Sequence, residues 1–146
     1  MFNAGEILYF DQFQFKDGAD PLAKYFIILH RLANGAIIGA LPTRTNSVPS
    51  FVNIPHGCIN HDERCYNCYV FEKGRAICNN GFSFDLTTFV YGDRVEDYKE
   101  ESLDEKIEGV DYVKIGVLLD TELQALINCV KNSGSTKRKI LRLFNQ

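Results

Sequence analysis

The first basic residue of the chain is Lys16, and the stretch Ile7-Leu8-Tyr9-Phe10 has no Lys or Arg before it. A secretory signal requires a positive start, about 7–15 apolar residues and a small-residue cleavage site, so none is expected here. Long apolar runs are also missing. The longest are Tyr25–Leu29 and the Gly-interrupted Ala36–Leu41, whereas a membrane-spanning helix needs ~20 residues. No membrane association is therefore expected. There is no Gly-x-x-x-x-Gly-Lys or Gly-x-Gly-x-x-Gly loop to cradle a phosphate, and no Gly-x-Ser-x-Gly elbow for a nucleophilic serine. Internal repeats and low-complexity tracts are absent as well. With five cysteines, an odd number, the chain cannot pair all of them within itself. Together with the missing signal, this predicts reduced thiols and a cytoplasmic protein.

What is present describes an ordinary globule. The 146 residues, 45% hydrophobic and 24% charged, predict one domain with a sizeable core and rule out wholesale disorder. Gly5-Glu6-Ile7-Leu8-Tyr9-Phe10 reads as a strand, extended by Phe13 and Phe15 alternating with polar neighbours. Lys24-Tyr25-Phe26-Ile27-Ile28-Leu29-His30 is the strongest strand, and its continuous apolar run predicts burial on both faces. Asn34-Gly35 marks a tight hairpin into residues 36–41, which stop at Pro42. Residues 43–64 are polar and Pro-punctuated, and are expected to form a long functional loop. A second hairpin is expected from 68–72 and 75–79 around Lys73-Gly74. Further strands are expected at 87–91 and 110–119. Thr121-x-x-Gln124 fits a capping box for a helix over Thr121–Asn132, and a second helix is expected over Ser135–Phe144.

Three groups of residues could carry chemistry. His56, Cys58, His61, Cys65 and Cys68 crowd one segment, and the Cys65/Cys68 and Cys58/His61 gaps suit a tetrahedral zinc. The plainer account, in which Cys68 and Cys78 are small core residues on strands, is preferred, so no metal and no cofactor is assigned. The second group is Leu41-Pro42-Thr43-Arg44-Thr45. There a hydroxyl and a guanidinium leave the hairpin close to where Lys24 begins its strand, so three polar donors can converge on a phosphate. On residue chemistry alone, an ordinary turn with solvated cations accounts for that segment more simply.

The third feature is charge. The net −3 is a sum of unlike parts: residues 93–108 hold a local −5, whereas the tail from Lys131 carries five cations and no acid. A solvated helix explains each run most simply. The sharper expectation is that the basic tail docks RNA or an acidic partner, while the acidic segment screens or mimics it.

The strand from Gly5 to Asp11, a Gly-containing turn, the strand from Lys24 to His30 and the hairpin into Leu41-Pro42-Thr43 together resemble the PemK/MazF-like family. The resemblance covers roughly residues 5–45 by motif. It implies a mainly β (α+β) fold, an SH3-like small β-barrel with C-terminal helices. On that reading residues 1–119 form the barrel, with an inserted loop 43–64 and an acidic segment 93–108, and residues 120–146 form the helices. It implies a homodimer that cleaves single-stranded RNA without a metal and answers to an antitoxin-like protein. Thr43 falls where the family has its hydroxyl and Lys24 where its catalytic Arg usually stands, with Arg44 beside them. A Lys lacks the planar fork of Arg, so that exchange is not conservative. The alternative expectation is a non-catalytic barrel of the same fold that binds a protein or nucleic acid, with a zinc-stabilised module as a further variant.

Overall fold

A computed structural model describes residues 2–44, 54–61, 66–104, 109 and 111–146. The described strands form two antiparallel sheets. The larger has five strands in the order β7-β3-β2-β1-β8 and the smaller three in the order β4-β5-β6. These are β1 (Glu6–Phe13), β2 (Leu22–Arg31), β3 (Ala36–Ala40), β4 (Gly57–His61), β5 (Tyr66–Phe71), β6 (Thr88–Tyr91), β7 (Val95–Lys99) and β8 (Tyr112–Val117). Helices α1 (Asp120–Lys131) and α2 (Arg138–Leu143) close the chain. The expected mainly β fold with C-terminal helices is therefore present. Among the described residues, however, neither sheet closes on itself into a barrel.

β2 lies at the centre of the large sheet, and its apolar run is buried on both faces as its continuity implies. Ile27 and Leu29 enter the core between the sheets and the helices, with Ile7, Ile38, Leu126 and Ile140. Phe26 and Ile28 enter a second, aromatic core on the opposite face with Phe10, Phe13 and Tyr98. A side-chain period of two makes one strand serve both layers. The tip of the Phe26 ring fills the space over Gly39, where a Cβ would sit 2.1 Å from Cζ. The hairpin at Asn34-Gly35 forms as expected: Gly35 has φ of 86°, and the Asn34 side chain accepts from the Ala36 N–H. That left-handed backbone is why glycine suits the turn.

Three segments depart from the expectation. The expected loop 43–64 contains β4, which pairs with β5, while 45–53 and 62–65 lie outside the described residues. Residues 75–79 do not return as a hairpin partner of β5, because β6 occupies that edge. Instead Cys78 bridges Leu118, Asn79 N–H donates to Val117 O and Asn80 Nδ2 donates to Ile115 O. This loop caps the outer edge of β8 and satisfies donors and acceptors that an edge strand otherwise exposes. Within 93–108, Val95–Lys99 is β7, the outer strand beside β3, so that part belongs to the sheet and is neither an insertion nor a helix.

The capping box is also absent. Leu119 is pinned by its N–H to Ile77 O, so α1 starts at Asp120 with no side-chain cap. Thr121 lies inside the first turn, where Asp120 and Glu122 offset the positive helix end.

The two sheets are joined where β3 runs on past Pro42. Thr43 exchanges both backbone hydrogen bonds with Phe89 of β6, at 2.8 and 2.7 Å. The chain that begins on the large sheet thus ends paired to the small one, and the site lies at this junction.

Candidate functional site

The junction opens a cleft of about 400 Å³ lined by Tyr9, Ala23, Lys24, Tyr25, Pro42, Thr43, Arg44 and Thr88. The three residues singled out from the sequence, Thr43, Lys24 and Arg44, therefore meet at one cavity, although they come from two separate segments. Each is placed by backbone pairing. Thr43 is held by its two backbone hydrogen bonds with Phe89, Lys24 sits opposite Phe10 on β1 and Tyr25 opposite Tyr9. Arg44 follows Thr43 directly and reaches Asp85, with Nη2 3.1 Å from Oδ1.

Register also separates their contributions. Cross-strand partners share a face, so Tyr25 and Tyr9 point to one side while Lys24 shares the side of Phe10. The two tyrosines form the wall, and Lys24 lines the same cleft with its side chain leaving β2 on the face opposite theirs. Their rings meet edge to face at 5.1 Å, and Tyr25 also packs against Phe84 at 5.1 Å. Thr88 is buried at the floor and donates to Leu86 O at 2.8 Å. Burial raises the Tyr25 phenol pKa, and the charge of Asp85 adds to this, with Arg44 opposing. Tyr25 is thus a neutral hydrogen-bonding group at physiological pH rather than a base.

The tyrosine wall and Asp85 were missed from sequence. Tyr25 stands in an apolar run that reads as core, and Asp85 lies 41 positions from Arg44. The alternation of Tyr9 and Tyr25 on their strands was the only available signal, and it shows a shared wall only once the register is known.

The zinc grouping does not assemble. Cys58 is in a disulfide with Cys129, joining β4 to α1 with Cα atoms 5.5 Å apart, and this overturns the expectation that the cysteines are all reduced thiols. Cys58 pairs with Tyr69 and Cys68 with Ile59, so the two sulfurs point to opposite faces of the small sheet. Cys68 is buried on the far face with Val70 and Phe89. Cys65 and the His61 side chain lie outside the described residues. No group of three or more His, Cys, Asp or Glu that could hold a metal occurs among the described residues.

His56 is engaged elsewhere. Its Nδ1 accepts from the Glu72 N–H at 3.1 Å, which leaves Nε2 to donate to Glu122 at 2.5 Å. Tyr69 OH donates to the same carboxylate oxygen at 2.7 Å. This network and the disulfide tie β4 and β5 to α1 side by side.

The basic tail is partly neutralised within the chain. Lys137 pairs with Glu96, and Lys139 lies 3.0 Å from Asp97, with Lys16 closing on the same two acids at 3.9 and 3.8 Å. The acidic strand β7 therefore screens the tail directly. No described helix is long and apolar enough to cross a membrane. No family model matches the sequence, and no curated protein matches it either.

Proposed function

We propose that the cleft binds single-stranded RNA and that the protein is a PemK/MazF-like growth inhibitor, a metal-independent endoribonuclease. The observation that carries this reading is the convergence of Thr43, Lys24 and Arg44 on one cavity, with two tyrosines beside them. Guanidinium and ammonium groups suit a phosphodiester, the first as a planar fork and the second as a point charge. Cleavage proceeds by attack of the ribose 2′-oxygen on the adjacent phosphorus as the P–O5′ bond breaks. The products are a 2′,3′-cyclic phosphate and a 5′-hydroxyl, and the 2′ proton is transferred in net terms to the leaving oxygen. Lys24 and Arg44 stabilise charge on the phosphorane, and Thr43 positions it.

The fold that goes with this reading is an SH3-like barrel opened at one side. It is supported by the Thr43–Phe89 bridge that joins the two sheets. A homodimer held in check by an antitoxin-like protein completes the reading.

A second reading, RNA binding without cleavage, is favoured by one feature. Among the described residues no His and no carboxylate lines the cleft, and Tyr25 is held protonated, so no described side chain there is suited to take the 2′ proton.

Incubating RNA with the protein in EDTA, with growth followed on expression, tests the first reading. Cleavage and growth arrest are expected, both lost in Thr43→Ala and Lys24→Ala. RNA that stays intact but bound selects the second reading. Intact, unbound RNA and unimpaired growth contradict both.

A further inference from the structure

The cleft wall has a property that phosphate contacts do not require. Tyr9 of β1 is paired in register with Tyr25 of β2 on one side and with Val113 of β8 on the other. Side chains opposite one another on adjacent strands lie on one face about 5 Å apart. Val113, Tyr9 and Tyr25 thus make a row across three strands, which Tyr25 continues into Phe84 and Phe82 at 5.1 and 6.1 Å. The row is not sealed as core. Val113 is 60% exposed, and both tyrosines are half-buried and line the cleft. Its inner end is braced by phenylalanines and its outer end meets solvent.

We infer that Tyr9 and Tyr25 are a stacking shelf for the bases of a single-stranded RNA whose phosphates lie against Arg44 and Lys24. The inference rests on the RNA reading of the cleft and names which groups contact the bases. Three points on the molecule favour this occupant. The charge is complementary, since two cations, Arg44 and Lys24, line the same cleft as the tyrosines. Arg44 is available for exchange, because its partner Asp85 is 81% exposed in its side chain and such exposed pairs are weak. Tyr9 and Tyr25 offer ring surfaces with little hydrogen-bonding readout, which suits stacking on any base rather than recognition of one. A duplex is excluded because its bases are stacked within the helix and cannot reach the shelf.

The chain has no Trp and seven Tyr, so tyrosine emission reports stacking with no stronger emitter over it. The experiment titrates the protein with a labelled single-stranded RNA, the same strand as DNA, and a ribose-phosphate strand lacking bases. Anisotropy reads binding, and tyrosine emission reads stacking. Quenching by RNA but not by the abasic strand is expected. Tyr9→Leu and Tyr25→Leu are expected to weaken RNA binding about tenfold each while leaving abasic binding unchanged. Tyr25→Phe, which keeps the ring, is expected to bind as the parent does. RNA that binds with no quenching and no loss in the leucine variants overturns the shelf and leaves the RNA reading standing. Failure of both RNA and abasic strand to bind overturns the RNA reading and the shelf with it. Tighter binding of DNA than of RNA overturns the assignment to RNA. The quenching arm uses the unaltered protein, so it decides the question even if a leucine variant fails to fold.

Discussion

Glu100 accepts three hydrogen bonds from two partners. Arg31 donates to it through both terminal nitrogens, at 2.7 and 2.8 Å, and the Phe2 N–H adds a third bond at 2.8 Å. The Arg31 hydrogen bonds hold its pKa down at about 2 against the opposing effect of burial. A carboxylate depressed in the folded state stabilises the fold above its unfolded pKa, which is ~4.3 for Glu. That contribution is lost as pH falls from there towards 2. Glu100→Gln is therefore expected to flatten the acid limb of the stability curve between about pH 4.5 and 2. Urea midpoints measured across that range check it, and a limb unchanged by the substitution refutes it. Gly39 gives a second residue-scale test. A Cβ there meets the Phe26 ring at 2.1 Å, so Gly39→Ala is expected to cost about 1–3 kcal/mol in denaturant unfolding through overpacking. At this scale the sequence was informative where chemistry is local. Asn34-Gly35 declared its turn, whereas the need for glycine at position 39 depends on a ring 13 positions away.

At the scale of elements, β4 is the best example of structure determined by long-range ties. Its sequence, GCINH, has only modest strand character and follows a Pro-rich stretch. Three ties fix it: the register with β5, the Cys58–Cys129 disulfide and the His56–Glu122 contact. None of these is visible locally, since the disulfide spans a sequence separation of 71. Removing it with Cys58→Ser plus Cys129→Ser is expected to cost about 2–4 kcal/mol. A matching loss is expected on adding dithiothreitol to the parent but not to the double variant. Equal response of both proteins to the reductant contradicts the pairing. β7 escaped prediction for a different reason. Its VEDYK sequence carries three charges, which obscure the strand pattern yet suit a sheet edge, where charges discourage further pairing. β2 was fully legible because an apolar run serving two cores needs no partner to declare itself.

Across the whole molecule, the charge asymmetry of the sequence becomes a contact between two regions. Lys137 and Lys139 of the tail meet Glu96 and Asp97 of β7, so the acidic strand screens the basic tail inside one molecule. Because the lysines are half-exposed, replacing both with Ala is expected to cost less than about 1 kcal/mol each near 0.15 M salt. At 1 M salt the difference should vanish. Thermal unfolding at the two salt concentrations reads it directly. The site shows the same mixture of what sequence reveals and what it conceals. Thr43, Lys24 and Arg44 were identifiable because a hairpin brings its two ends together. The wall of Tyr9 and Tyr25 was not, because it depends on which residue of β1 faces which residue of β2.

If this cleft holds the phosphates of single-stranded RNA, RNA binding must weaken with salt in proportion to the phosphates neutralised. The slope of log affinity against log salt is close to −0.7 per phosphate neutralised on a single strand. Lys24→Ala and Arg44→Ala are each expected to weaken binding and to make the slope shallower by about 0.7. A slope that neither substitution changes, or no binding at low salt, contradicts the account.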